Sequence, residues 1–100
     1  MSDPLTQSGL QAPTLHNLKT WPEYFQPVLD GTKRFEIRIN DRNYKAGDTL
    51  NLQEYEPSKG EYTGRELDAT VTYVLQWCQP NGMLGKNVAV LSIDSVVEQM

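Results

Sequence analysis

One hundred residues, with nine Lys and Arg against thirteen Asp and Glu for a formal charge of -4, leave room for one ordinary domain and exclude a two-domain enzyme. Apolar residues make up 38% and charged residues 22%, near globular averages, and no run has the roughly 20 apolar residues that span a bilayer. One cysteine, Cys78, closes no internal disulfide, and one Cys with one His, His16, makes no protein-only zinc site, so a soluble cytoplasmic chain without metal or cofactor is expected.

Residues 1–14 read as a flexible polar tail lacking the basic start and apolar core of a signal peptide, which leaves 15–100 as a single domain. The stretch 15–19 alternates weakly and suits an entry strand. Thr20-Trp21-Pro22-Glu23 is spaced as a helix start, with Thr20 capping and Glu23 completing the box. Tyr24, Phe25, Val28 and Leu29 then recur at helical spacing up to Gly31, a left-handed stop, while Pro27 predicts a kink or a looser turn.

Beyond Gly31 the period changes to 2, which predicts a strand with Phe35, Ile37 and Ile39 inward and Arg34, Glu36, Arg38 and Asn40 outward. Turn formers fill 40–43 and 46–48, a second strand covers 49–55 with Leu50 and Leu52 inward, and 57–60 is a loop. The stretch 65–75 is the longest strand, with Leu67, Ala69, Val71, Tyr73 and Leu75 on one face. Residues 76–86, with Pro80, Gly82 and Gly85, are expected to be irregular; 88–93 reads as a buried strand, followed by a short helix or a strand extension. Closely spaced strands with one early helix predict a β-rich α+β domain that closes most economically as a small barrel.

Charge is uneven along the chain. Residues 16–45 hold six basic and four acidic side chains, and 46–100 hold three and eight. An acidic chain neutralises duplex phosphate poorly, so a long nucleic-acid footprint is disfavoured, whereas a pocket for one nucleotide or a short single strand fits the cluster Lys33, Arg34, Arg38, Arg42 and Lys45.

Within that cluster the predicted helix end delivers Lys33, and the next strand displays Glu36 and Arg38 on one face. A carboxylate beside cations can accept a proton or a hydrogen bond from a nucleobase edge, and Lys and Arg can hold a phosphate or steady an oxyanion. The same spacing also describes ordinary ion pairs on the solvent side of a strand. His16, Lys19 and Trp21 reach the same mouth if the first strand neighbours the Phe35 strand, His16 as an acid or base and Trp21 as a stacking surface. Tyr62, Thr63, Gly64 and Arg65 form a second polar turn, with Arg65 suited to an anion and Tyr62 to a base or ribose. Cys78 has no His or second Cys close by in sequence and is not read as a nucleophile.

The string 16–48, HNLKTWPEYFQPVLDGTKRFEIRINDRNYKAGD, carries a G-x-K-x-x-E-x-R pattern and an NDR-x-x-K-x-GD turn, and is followed by EYTGRE and a closing VAVLSI strand. In combination these resemble a small bacterial and phage domain-of-unknown-function family in the ASCH superfamily (activating signal cointegrator homology). The resemblance covers most of the chain and implies a PUA-like β-barrel with one or two short helices. It further implies a cleft lined by Lys33, Glu36 and Arg38 that binds RNA or a modified nucleotide. By extension Lys19, Asn40, Asp41 and Arg42 surround the opening, with His16 and Arg65 as further additions to the set.

Other small ASCH proteins are amidohydrolases that remove the acetyl group from N4-acetylcytidine using a Lys, a Thr nucleophile and a Glu. Here Lys33 matches the lysine, but Glu36 stands at the threonine position and the distant Glu has no clear counterpart. The hydrolytic route that survives has Glu36 activating water while Lys33 or Arg38 steadies the oxyanion. A third expectation is a phage-type interaction module whose acidic half meets a host protein.

Overall fold

Five strands and one helix follow in the order β1 (Leu15–Thr20), α1 (Pro22–Asp30), β2 (Phe35–Ile39), β3 (Thr49–Glu56), β4 (Glu61–Trp77) and β5 (Val88–Gln99), in a computed structural model that describes residues 12–77 and 87–99. They form one mixed sheet of order β1-β3-β4-β5-β2, with β1 parallel to β3 and the other pairs antiparallel. The sheet curls into a half-barrel, the β-rich architecture with one short helix that the sequence predicts. Leu50, Leu52, Leu67, Leu91 and Ile93 line its inner face, and α1 lays Phe25 and Val28 against them. Among the described residues no helix is long and apolar enough to cross a membrane.

The helix ends where expected, on Gly31 at φ 86°, but it starts differently. Trp21 is the N-cap without a side-chain bond, and Thr20 instead closes β1, its hydroxyl donating to the Leu18 carbonyl at 3.2 Å. The helix also runs through Pro27 rather than loosening there. The one bond lost is to the carbonyl of Glu23, on an exposed first turn where water replaces the donor.

Three further corrections come from pleat and register. The expected polar turn at 62–65 is part of β4, where extra residues opposite the Gln53–Tyr55 step make a bulge with Gly64 at φ 97°. A second bulge, between Val71 and Tyr73, advances β4 by two residues against one on β5. Leu67, Ala69 and Val71 therefore face the core as predicted, whereas Tyr73 and Leu75 turn outward and Val74 packs inward in their place. The third concerns β2. Glu36 and Arg38 pair with the inward Leu91 and Ala89, so Glu36 is 3% exposed while Phe35, Ile37 and Ile39 face out, Ile39 at 60%. The apolar residues of this strand are its outer face. Residues 94–99 continue β5 as a strand, Gln76 and Trp77 extend β4, and the calls on the tail up to residue 11 and on Cys78, Pro80, Gly82 and Gly85 lie outside the described residues.

At the far end of β1 the turn before β3 buries Asp48 completely. His16 Nε2 donates to its carboxylate at 2.8 Å, the Thr14 amide at 2.9 Å, and Lys45 through both its amide (3.0 Å) and its ammonium (2.9 Å). Burial pushes the carboxyl up, yet these four donors outweigh it and hold the group at about 2. The folded form thus loses its proton more readily than the unfolded chain, so the contribution is complete above the ordinary value of 3.8 and disappears as pH falls through about 2. Between pH 4.5 and 2 the wild-type chain should lose about 2 kcal/mol more of its urea-unfolding free energy than Asp48→Asn does; equal pH slopes in the two proteins would refute this role for Asp48.

Candidate functional site

Backbone pairing stops at β1 on one side and β2 on the other, and side chains span the seam between them. Arg38 Nη1 donates to the Lys19 carbonyl at 3.1 Å and Nη2 to the Thr20 hydroxyl at 3.1 Å, while Arg42 reaches the Asn17 carbonyl at 3.2 Å. Arg38 also turns Nε and Nη2 onto Glu36 Oε1, at 3.2 and 3.1 Å. The other Glu36 oxygen accepts from Lys33 Nζ at 2.6 Å.

Local sequence explains how Lys33 arrives there. The left-handed Gly31 turns the chain back, and the amides of Thr32 and Lys33 both bond the Pro27 carbonyl at 3.0 Å. Lys33 then stands three residues before Glu36, on the inner side of β2.

Along this seam opens a cavity of about 550 Å³, bordered by Lys19, Thr20, Trp21, Tyr24 and 33–38 other than Arg34. Three cations, Lys19, Lys33 and Arg38, and one carboxylate, Glu36, border it. Its mouth is aromatic: Trp21 and Tyr24 lie nearly parallel with ring centroids 6.4 Å apart, Tyr24 is half exposed, and the Lys33 ammonium sits 5.0 Å from the Phe35 ring. Such a site suits a flat ligand that carries hydrogen-bonding edges and negative charge.

The structure brings together Lys19, Trp21, Lys33, Glu36 and Arg38. It sets Asn40, Asp41 and Arg42 beyond the end of β2, where the Asn40 amide bonds the Asn87 carbonyl and Arg42 straddles the seam outside the cavity. His16 is buried against Asp48 with its ring 4.7 Å from that of Tyr44, away from the cavity. Arg65 lies over Phe25 and points to Gln26 and Glu54, bordering a separate hollow. Sequence reasoning passed over Tyr24, treated only as a helix-face apolar residue, and Thr20, treated as a cap. Tyr24 stands three residues after Trp21, the spacing that puts both on one helix side.

Nor is the Lys33–Glu36–Arg38 group a set of solvent-side ion pairs, because its carboxylate is buried and its cations are only partly exposed. Among the described residues no three His, Cys, Asp or Glu side chains cluster as a metal site.

Residues 15–93 match the family model described as Domain of unknown function (DUF3850). The chain belongs to this family. It is also similar to the uncharacterized 12.9 kDa protein in the GpA 3'region of Escherichia phage P2, with 47% identity over 60 residues, 60% of this chain and 53% of the phage protein. The chain spans about half the length of that relative.

Breaking a buried ion pair from one side leaves uncompensated charge. Glu36→Ala should therefore lower the unfolding free energy by about 3 kcal/mol. Arg34→Ala, which removes a solvent-exposed 3.5 Å pair with Asp94, should change it by less than about 1 kcal/mol. Equal losses in urea titrations of the two variants would contradict the burial argument.

Proposed function

We propose that this domain binds RNA or a modified nucleotide in the seam cavity, and that it is a divergent PUA-like domain of the ASCH superfamily. The observation that carries the reading is the convergence of an aromatic mouth, Trp21 and Tyr24, on a buried carboxylate with paired cations, Glu36 with Lys33 and Arg38, in one cavity of nucleotide size. Trp21 or Tyr24 stacks a base, Glu36 accepts from its amino or imino edge, and Lys19, the cavity cation without a carboxylate partner among the described residues, neutralises phosphate. Lys33, Glu36 and Arg38 of the G-x-K-x-x-E-x-R pattern all border this cavity, which supports the assignment to a PUA-like cleft. The acidic balance of the rest of the chain keeps the footprint short.

A thermal-shift panel of nucleosides, modified nucleosides including N4-acetylcytidine, and short RNA and DNA oligomers tests this. A nucleobase ligand should raise the melting temperature. Trp21→Ala and Lys33→Ala should each weaken its binding about tenfold. Release of cytidine from the acetylated nucleoside would assign Glu36 the role of general base. Silence across the panel with the wild-type chain would overturn the reading in favour of a protein partner.

A further inference from the structure

Lys33 and Arg38 are both engaged by Glu36, whereas the third cavity cation is not. Among the described residues the Lys19 ammonium has neither a carboxylate nor a hydrogen-bond partner, and it lies 4.1 Å from the centroid of the Tyr55 ring and 6.0 Å from that of Tyr62. Tyr62 borders a second hollow of about 200 Å³ between β3 and β4, opened by the Gly64 bulge and edged by Glu54, Arg65 and Glu66. A Cβ at Gly64 would meet nothing within 4 Å, so this bulge leaves open space. Lys19 thus stands between two concavities, each with an exposed aromatic ring at its edge, and is the cation left free for an anion.

We infer that the ligand is a stretch of at least two nucleotides of single-stranded RNA, an inference that rests on the nucleotide reading of the seam cavity. One base stacks at Trp21 and Tyr24, the connecting phosphodiester meets Lys19, and the next base stacks on Tyr62. The second hollow is mixed in charge: Arg65 pairs with Glu54 at 3.4 Å, which leaves Glu66 to accept a hydrogen bond from a base amino group or a ribose hydroxyl, while the connecting phosphodiester meets Lys19, which has no carboxylate partner among the described residues. Base stacking on an exposed tyrosine needs no sequence code, since every base has a π-face.

Isothermal titration of the four ribonucleoside 5′-monophosphates and the four 5′-phosphorylated homodinucleotides separates the two subsites. At least one dinucleotide should bind about tenfold more tightly than its monophosphate. Tyr62→Ala should remove that advantage without changing monophosphate binding, and Tyr62→Phe should retain it. Trp21→Ala should weaken both ligands. Tyr62 is half exposed but meets the Tyr55 ring edge-on at 5.0 Å, so Tyr62→Ala should lower the melting temperature by a few degrees at most and Tyr62→Phe should keep it. Equal affinity for monophosphate and dinucleotide, with Tyr62→Ala silent, overturns the second subsite and leaves the first pocket standing. Failure of all eight ligands to bind the wild-type chain overturns both.

Discussion

Glu36 is a carboxylate taken out of water inside a small barrel wall, and its neighbours are arranged around that fact. Desolvating such a group costs several kcal/mol unless its lone pairs are met by well-placed donors. The donors come from both sides in sequence: Lys33 from the helix exit three residues earlier, Arg38 from two residues later on the same strand. Arg38 then uses its remaining hydrogens on the edge of β1, so the group that neutralises the carboxylate also spans the seam. Helix end, edge strand and barrel opening are tied to one anion.

The second buried carboxylate, Asp48, shows the contrasting use of the same chemistry. Two of its four donors are backbone amides, and the others, His16 and Lys45, are held close by β1 and by the turn itself. Asp48 fastens the start of β1 to the turn that precedes β3. Around Glu36 every donor is a long cationic side chain, and the group faces a cavity with aromatic walls. The first arrangement is closed, while the second borders a cavity of about 550 Å³.

The elements were legible because their periods are clear. Phe25 and Val28 gave the helix face, Leu50 and Leu52 the β3 face, and Gly31 the helix stop. What sequence periodicity could not show was where the pleat changes phase. Tyr73 and Leu75 continue the alternation of Leu67, Ala69 and Val71 on paper, but one bulged residue reverses their direction. In β2 the rule that apolar residues face the core failed, since the inner side of this edge strand carries the paired charges of Glu36 and Arg38. Lys33, Glu36 and Arg38 were picked out together by spacing and resemblance. Tyr24 was hidden by its ordinary place in an amphipathic pattern, and the distance of His16 from the cavity depends on Asp48, some thirty residues away in the chain.

The outward set Phe35, Ile37 and Ile39 has a consequence for how β2 finds its place. A slip of one residue against β5 would carry these three side chains into the core and release Glu36 and Arg38 to water. Apolar burial alone favours that alternative pairing. In the native alignment Lys33 and the edge of β1 meet the two charged groups from inside, and paired bonds between Asn40 and Asn87 hold the far end of the strand against β5.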